Sequence, residues 1–367
     1  MPLLPTTQYK LRILCMTYNH APYIKDCMDG FCMQKTSFPF VAIIIDDAST
    51  DGEPEVIRQY LNEHFDMANA QQDENDDAIR IAAVHKDNPN CHFLVILLKY
   101  NFYCIKKVKY PLYKGWHENV PYVAMCEGDD YWTDSTKLQR QVDFLDAHPE
   151  YLMACCRARM YSEKNKTFRG KDNYCRRGDG DLTPEEIIRR GGYYIPSCSI
   201  IYQNANQGKV YPIYCRNCPV GDYPLQIWLA MLGKVYYFDT PMAVYRVDNS
   251  SAWSGRKDAL KSYSEKELDA FRRQVDMLKG FAKDYPNYAK PCIRRAEFFI
   301  NSKLRSCHAK DPENQKILDY FKEDIKQYGL LGRIDKRMRL CGNKSLLTLY
   351  YGTAFKWLFR NYLDLFW

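Results

Sequence analysis

Two short apolar runs in the first third of the chain end abruptly in acidic residues. Residues 40–45 are followed by two aspartates, and residues 122–126 lead through two residues into Asp129 and Asp130. Continuous apolar runs of this length are typical of strands that are buried on both faces, as in parallel sheets. The carboxyl ends of parallel strands lie at one edge, where open α/β sheets place their ligands. The sequence therefore predicts a parallel sheet with acids along that edge.

The first 160 residues alternate between strand-like and helix-like segments. Such alternation predicts βαβ units and a mostly parallel sheet flanked by helices. Residues 66–77 are acidic and polar without periodicity, so we expect a mobile surface loop there. Thr183, Pro184 and Glu186 form the start signal of a further helix, which Gly191 ends. The predicted strands are 11–17, 40–46, 91–98, 121–126 and 151–158, and the predicted helices are 22–34, 53–65 and 135–147.

Composition narrows the class of protein. The formal net charge of +7 is concentrated near the C-terminus and is accompanied by no helix-turn-helix, zinc-finger or RNP-type pattern, so no nucleic-acid partner is expected. The fifteen cysteines are scattered, mostly in apolar runs, and the first residues show no signal-peptide pattern. We therefore expect a reduced, cytoplasmic protein. Cys215 and Cys218 form a Cys-X-X-Cys without a matching second pair, so no zinc site is expected.

Four sequence blocks occur in a fixed order. They cover residues 11–20, 40–52 and 121–132, and the fourth joins 221–226 to 242–254. In this order the blocks resemble the family 2 glycosyltransferases with a GT-A fold, especially the bacterial branch that builds capsule, O-antigen and other surface polysaccharides. The resemblance implies an α/β fold of the GT-A type, in which a Rossmann-like, mostly parallel central sheet is flanked by helices.

The length of the chain and a change in its sequence character after Ser254 predict two domains. Residues 1–254 would form the catalytic domain, and residues 255–367 would form a helical C-terminal appendage with an aromatic tail. The longest uncharged run of the tail is shorter than the ~20 residues that a membrane-spanning helix needs. Basic residues precede the tail, so it either lies on an anionic membrane surface or docks on the catalytic domain or a second subunit. The first alternative predicts a peripheral protein at the cytoplasmic face of the inner membrane; the second leaves a homo-oligomer open.

The resemblance assigns the donor side of the site. A nucleotide-sugar donor offers a base, a ribose and a diphosphate. Tyr18 would stack on the base, and Asp47 would accept a hydrogen bond from a uracil-type imide, which favours UDP. Apart from the resemblance, Lys106, Lys107 and Lys109 are candidates to neutralise the diphosphate, the alternative being ordinary solvated lysines. Asp130 would ligate Mn²⁺ or Mg²⁺, and Asp129 would lie towards the ribose and a metal-bound water. Each has a structural alternative: Tyr18 as a packed ring, and the acids as caps of their turns.

Asp222 is the candidate catalytic base. An inverting sugar transfer needs a carboxylate that removes a proton from the acceptor hydroxyl as it attacks the anomeric carbon. Asp222 precedes the helical pattern 225–232, so its carboxylate is expected at a helix start. The structural alternative is an ordinary N-cap.

The last block departs from the family. Relatives usually carry Tyr-Arg-X-His, whereas this chain has Asp248 two residues after Arg246. An aspartate can still ligate a hard cation, but it repels phosphate. The replacement therefore leaves the metal preference of the site open, whereas it does not affect the predicted fold. Arg246 pairs either with phosphate or with a nearby acid. Tyr194, Ser197 and Trp253 are the candidate acceptor-binding residues, because their rings and hydroxyls suit a carbohydrate.

The sequence thus predicts a metal-dependent, inverting glycosyltransferase of the hexosyl or N-acetylhexosaminyl type. Its partners would be a nucleotide-sugar donor and a glycan or lipid-linked acceptor. Two alternatives stay open. One is a nucleotidyltransferase, which should carry a glycine-rich, lysine-containing loop after the first strand; residues 16–22 have none. The other is a non-catalytic partner in a polysaccharide assembly complex, in which Asp222 would be dispensable.

Overall fold

The computed structural model describes residues 3–170, 175–204, 209–248, 263–303 and 312–324. The chain divides into two compact units, one of Met1–Tyr211 with Leu225–Ala259 and the other of Pro212–Pro224 with Leu260–Trp367. These units differ from the predicted division after residue 254 in two respects. The first unit continues to Ala259. A short internal segment, Pro212–Pro224, groups with the C-terminal residues.

The first unit contains one large sheet and helices on both of its faces. Its strands are β1 (Leu11–Thr17), β2 (Phe40–Asp46), β3 (Gln71–Glu74), β4 (Ala78–Val84), β5 (Cys91–Leu98), β6 (Tyr122–Met125), β7 (Tyr131–Trp132), β8 (Tyr151–Ser162), β9 (Thr167–Phe168), β10 (Gly180–Leu182), β11 (Ile201–Gln203) and β12 (Lys234–Val247). Its helices are α1 (Ile24–Cys32), α2 (Glu53–His64), α3 (Phe102–Ile105), α4 (Lys114–His117), α5 (Lys137–Ala147) and α6 (Pro184–Arg190).

The strand order is β10-β12-β8-β11-β6-β1-β2-β5-β4-β3, with β7 paired to β12 and β9 paired to β8. The four central strands β6, β1, β2 and β5 are parallel, and so are β8 and β12, whereas the other ladders are antiparallel. The predicted α/β sheet is therefore confirmed. The expectation of a mostly parallel sheet holds for its centre, and antiparallel strands extend it on both sides.

Strand β2 shows why the centre of the sheet is fixed by sequence. All seven of its residues are buried. Phe40, Ala42 and Ile44 pack on one face in a core with α1, α2 and α5, whereas Val41 and Ile43 pack on the other face with Phe102 and Trp116. A strand covered on both faces needs an unbroken apolar sequence, and this requirement was the signal that predicted it.

The predicted strands and helices of the first 160 residues are confirmed, although β8 continues four residues beyond the predicted end, to Ser162. The capped helix that begins after Thr183 is confirmed as well, with both hydrogen bonds of the capping box formed. The expectation of an irregular loop over 66–77 is wrong in part. Residues Gln71–Glu74 form β3, an edge strand that pairs with β4 and is anchored by an ion pair between Asp73 and Arg80.

The second unit is helical in the part that the structure describes. It contains α7 (Ile213–Arg216), the start of α8 (Asp222–Leu232), α9 (Glu265–Asp284), α10 (Ala289–Asn301) and α11 (Pro312–Tyr320). A capping box at Ser264 and Glu267 starts α9. The Tyr214 hydroxyl donates to Asp284 at 2.8 Å, which ties the internal segment to α9. The predicted helical character of this region is confirmed there; the aromatic tail 345–367 and Trp253 lie outside the described residues.

No helix among the described residues is both long and apolar enough to cross a membrane.

Candidate active site

The register of the central strands places three acidic positions at one edge of the sheet. Thr17, the last residue of β1, pairs with Asp46, the last residue of β2, and Leu14 pairs with Met125 at the end of β6. The residues that directly follow these strands therefore emerge side by side. Tyr18, Asp47, Asp129 and Asp130 are the predicted donor-side residues that the structure brings to this edge.

The loop after β6 is held against β1 by its backbone. The N–H groups of Cys126 and Gly128 donate to the carbonyls of Leu14 and Met16 at 3.2 and 3.1 Å. A Cβ atom at Gly128 would lie 2.1 Å from the Thr17 hydroxyl oxygen, so only glycine allows this approach. The two aspartates that follow are therefore fixed in position beside the end of β1.

The Asp130 carboxylate is almost completely buried, with 1% of the residue exposed. Its Oδ1 atom accepts a hydrogen bond from the backbone N–H of Arg246 at 2.8 Å, whereas its buried Oδ2 atom has no hydrogen-bonding partner. Burial, followed by the charges of Asp129 and Glu127, raises the pKa of Asp130 well above its ordinary value, although the Arg246 backbone N–H and the nearby Cys198 thiol oppose the increase. A buried carboxylate oxygen without a proton donor is an expensive arrangement in a folded protein unless a cation or a proton occupies it.

Arg246 lies beneath these acids and is itself buried. Its Nε donates to Glu163 Oε1 at 2.8 Å and its Nη1 to the Asp129 carbonyl at 2.8 Å. Its Nη2 pairs with Asp26, and the guanidinium lies 4.4 Å from the centre of the Tyr131 ring. Of the two alternatives for Arg246, the structure favours the pairing with acids over a contact with donor phosphate. Sequence reasoning missed Asp26 and Glu163, because neither is near Arg246 in the chain.

Glu53 joins the loops after β1 and β2, and sequence reasoning missed it too. It is completely buried. Its carboxylate accepts hydrogen bonds from the Thr17 hydroxyl, from the His20 backbone N–H at 2.9 Å and from the Ser49 hydroxyl at 2.8 Å. Burial raises the pKa of Glu53 in spite of these donors. The one feature of the sequence that could have pointed to Glu53 is its position directly after Gly52, at the first residue of a predicted helix.

His20 and Asp129 face each other across the site. The His20 Nε2 atom lies 3.8 Å from Asp129 Oδ2, and its Nδ1 lies 3.2 Å from the Thr17 hydroxyl. The β1 loop is thereby coupled to the acidic loop through an imidazole. Tyr18, in the same loop, is half-buried.

Asp47 is buried and its carboxylate is occupied. Oδ1 accepts from the backbone N–H of Phe102 at 2.8 Å, and Oδ2 accepts from that of Tyr103 at 3.2 Å and from Lys109 Nζ at 3.0 Å. Asp47 thus also fixes the start of α3. Lys106 is exposed at the C-terminal end of α3, with a φ of 56°.

The structure places the remaining predicted site residues as follows. Asp248 is exposed, and its carboxylate accepts hydrogen bonds from Ser162 at 2.6 Å and from Arg169 at 2.7 and 2.8 Å. These donors lower the pKa of Asp248. Tyr194 and Ser197 are buried, and the Tyr194 hydroxyl donates to the Cys175 carbonyl at 3.0 Å.

Asp222 is the first residue of α8 and belongs to the second unit. Burial raises the pKa of this carboxyl, although backbone N–H donors oppose the increase. Its assignment as the catalytic base stays a prediction.

The described residues contain no group of three or more His, Cys, Asp or Glu side chains arranged to hold a metal ion. Mg²⁺ and Mn²⁺ bound to nucleotides need fewer protein ligands, because one or two carboxylates suffice when phosphates and water complete the coordination. The orphaned oxygen of Asp130 fits that role. Asp248 does not present such an oxygen, since Ser162 and Arg169 occupy its carboxylate.

Comparison with known protein families gives a match in the first part of the sheet. Residues 13–80, which include most of β1, all of β2 and Glu53, match the family described as "Glycosyl transferase family 2". The predicted resemblance to this family is thus confirmed over these residues.

Relatives of greater length carry no functional name. The chain is 30% identical over 244 residues to the uncharacterized protein Rv1520 of Mycobacterium tuberculosis and to the uncharacterized protein Mb1547 of Mycobacterium bovis. The matched region covers 66% of this chain and 60% of each relative, so the chain spans less than two thirds of their length.

Two solved structures are similar in outline. TarS residues 1–349 of S. aureus, in complex with UDP, shows 15% identity and a TM-score of 0.47, with 90% of this chain and 91% of that chain covered. A mannosyltransferase from Pyrobaculum calidifontis, in complex with GDP-Man and Mn²⁺, shows 13% identity and a TM-score of 0.46, with 96% and 86% covered.

Proposed function

We propose that this chain is a metal-dependent, inverting glycosyltransferase. It would move a hexosyl or N-acetylhexosaminyl group from a UDP-sugar to a glycan or lipid-linked acceptor in surface polysaccharide synthesis. The family 2 match over residues 13–80 supports the reaction class. The single observation that carries the proposal is the Asp130 carboxylate, which is rigidly held through Oδ1 while its buried Oδ2 has no donor.

The proposed metal site follows from that oxygen. Mn²⁺ or Mg²⁺ at Asp130 would neutralise the diphosphate, whose charge grows as the nucleotide leaves. Asp129 lies beside it and is oriented through its own carbonyl by Arg246 and through its carboxylate by His20. Asp248 is the weaker of the two proposed metal ligands, because cation binding there would have to displace Arg169.

The other donor contacts would come from the loops after β1 and β2. Tyr18 would stack on the base, since an aromatic ring binds any nucleobase face. Asp47 would accept the imide N–H at the acceptor position of its carboxylate that Phe102, Tyr103 and Lys109 leave unused, because a carboxylate accepts about four hydrogen bonds and these three donors fill three. Lys106 is exposed and would approach the diphosphate from solvent.

Asp222 would act as the base that accepts the proton of the acceptor hydroxyl. Its raised pKa makes the carboxylate a stronger proton acceptor than an ordinary aspartate, which suits this role. On the acceptor side, Ser197 and Trp253 stay candidates. Tyr194 would contribute through the edge of its ring, because its hydroxyl is bound to Cys175. A lipid-linked acceptor agrees with peripheral binding at the cytoplasmic face of the inner membrane.

Calorimetric titration with UDP, GDP, dTDP and CDP, each with and without Mn²⁺, tests the proposal. Wild-type protein is expected to bind UDP most tightly, and only when Mn²⁺ is present. Asp130→Asn should abolish the contribution of the metal while keeping the Arg246 hydrogen bond to Oδ1. Asp143→Asn, which changes an exposed acid of α5, is the matched control and should bind as the wild type does. Failure to bind any nucleotide would overturn the proposal and favour a non-catalytic role in an assembly complex.

A further inference from the structure

A cluster of two thiols and an imidazole lies at the edge of the central sheet opposite to the acids. Cys32 is the last residue of α1, Cys91 is the first residue of β5, and His85 follows β4. The acids follow the carboxyl ends of β2 and β6, whereas Cys91 pairs with Phe40 at the amino end of β2. The cluster is therefore separate from the proposed donor site.

The hydrogen bonds of His85 determine its tautomer. The backbone N–H groups of Asp87 and Asn88 both donate to His85 Nδ1, each at 3.1 Å. A backbone amide can only donate, so Nδ1 carries a lone pair and the ring proton lies on Nε2. The ring lies 6.2 Å from the His64 ring and 5.2 Å from the Phe65 ring, and its hydrogen bond with a side chain is to the Cys32 thiol, so His85 is the donor to that sulfur.

The surroundings of Cys32 favour a thiolate. Burial alone would raise its pKa, but the interactions with Cys91, His85 and Tyr60 lower the pKa of Cys32 to about 6. Cys91 keeps its proton, because burial raises the pKa of that thiol well above the ordinary value. The Tyr60 hydroxyl donates to Asp29 at 2.7 Å, so Cys91 and His85 are the two donors that hold the charge on sulfur. The other charged or titratable groups near the cluster are Lys86 and Asp87, which act on His85, Asp29 at Tyr60, His64, whose ring stacks on His85 at 6.2 Å, and Lys35 of the adjoining cleft.

Cys32 also opens into a surface cleft. The cleft has a volume of about 570 Å³, and its lining includes Cys32, His85, Lys35 and Asp87. One cation and one anion beside a half-buried sulfur match a small zwitterion of amino-acid character. Among the described cysteines, Cys104 is exposed and Cys218 is half-buried, but neither is a residue of this lining.

We propose that Cys32 is a nucleophilic modification site that forms a mixed disulfide with a low-molecular-weight disulfide bearing ammonium and carboxylate groups. The Cys32 thiolate attacks one sulfur of the small disulfide, and a bond forms between Cys32 Sγ and that sulfur. The original sulfur–sulfur bond breaks, and the other half leaves as a thiolate that takes a proton from water. The protein thiol is oxidised and one equivalent of small thiol is released, so no further oxidant is needed.

The first test measures the alkylation of Cys32 by iodoacetamide at pH 8 and pH 6, with Cys104 read in the same digest by mass spectrometry. The alkylation rate follows the thiolate fraction. For Cys32 it should therefore fall only about twofold between the two pH values, whereas an ordinary thiol with a pKa of ~8.5 falls by roughly 75-fold. Because the rates at the two pH values are compared for the same cysteine, the accessibility of that cysteine to the reagent cancels out. His85→Ala should make the fall at Cys32 at least about tenfold.

The second test incubates the full-length protein with oxidised glutathione and maps the adduct. We expect the adduct at Cys32 at pH 6, its loss in Cys32→Ser, and its persistence in Cys104→Ser. The proposal is overturned if Cys32 loses reactivity as steeply as Cys104, or if no adduct forms at Cys32. Nucleotide titration of Cys32→Ser is expected to match the wild type, so failure here is distinguishable from failure of the proposed function.

Discussion

The backbone N–H of Arg246 donates to Oδ1 of Asp130 across 2.8 Å, although the two residues are 116 positions apart. The same arginine binds the carbonyl of Asp129 through its side chain. Strand β12 therefore orients the acidic loop twice, once through its backbone and once through a buried guanidinium. The acids of the proposed metal site depend on a residue that does not need to touch the donor.

Replacing Arg246 by lysine is expected to destabilise the fold. Arg246→Lys keeps the charge but loses the fork that binds Glu163, Asp26 and the Asp129 carbonyl together. Because Glu163 would stay buried without a full partner, the free energy of unfolding should fall by about 3 kcal/mol in urea titration. Arg140→Lys, at a partly exposed ion pair with Asp134, should change it by less than about 1 kcal/mol. Equal effects of the two substitutions would contradict this role.

Replacing Glu53 by glutamine is expected to destabilise the fold. Its three partners, Thr17, His20 and Ser49, all donate to the carboxylate. In Glu53→Gln the new NH₂ group must face at least one of these donors, so we expect a loss of about 2 kcal/mol in unfolding free energy. UDP binding should weaken as well, because the β1 loop carries Tyr18. Glu55→Gln, at an exposed site of the same helix, is the control and should leave both quantities unchanged.

Asp222→Asn separates catalysis from binding. If Asp222 is the base, release of nucleoside diphosphate from the donor should fall by about 10²–10⁴-fold while UDP binding is kept. A base works only when ionised, so wild-type turnover should rise with pH through the pKa of Asp222, which burial places above the ordinary aspartate value. Asp269→Asn on α9 is the control for an acid of the same unit. Retained turnover in Asp222→Asn would exclude this residue as the base.

The burial of Lys137 is expected to make the free energy of unfolding depend on pH. The side chain is fully buried, its Nζ lies 4.4 Å from the centre of the Trp132 ring, and Nζ has no hydrogen-bonding partner. Burial lowers the pKa of Lys137, so between that value and ~10.4 the unfolded chain binds more protons than the folded one. Stability attributable to this residue therefore rises with pH in that window.

The matching experiment compares Lys137→Met with the wild type in urea at pH 7 and pH 9.5. Methionine has a similar length and no charge, so the variant should be as stable as the wild type or more stable by about 1–2 kcal/mol at pH 7. The difference should shrink at pH 9.5. A variant that is less stable at pH 7 by more than about 1 kcal/mol would show that the interaction with Trp132 outweighs the burial of the charge.

The centre of the fold could be predicted from sequence because its signals are local. An apolar run such as 40–45 is stable only where it is buried on both faces, as in the centre of a sheet. The acids that follow it must then emerge at the strand end. Strand β3 could not be predicted in this way. Its residues are polar, and it forms because β4 offers an open edge and Arg80 pairs with Asp73.

The sequence predicted the acids of the candidate site, but it did not predict the residues that bind and orient those acids. Asp47, Asp129 and Asp130 follow buried strands and were recognisable from their blocks. The partners of Arg246 come from distant parts of the chain, and no spacing in the sequence links Asp26 to Glu163. The choice between a phosphate contact and an acid pair for Arg246 therefore required the three-dimensional arrangement.

The internal segment Pro212–Pro224 has a consequence for anyone who shortens this protein. The chain passes from the first unit into the second and back before it enters the second unit finally at Leu260. A truncation after the first unit would delete α9 while keeping Tyr214, whose hydroxyl is bound to Asp284 of that helix. The aromatic residue would lose its partner, and Gly280, where a Cβ would lie 2.5 Å from the Tyr214 ring, would no longer cover it. The C-terminal region therefore cannot be removed by a single truncation without affecting residues 212–224, which precede it in the chain and group with it.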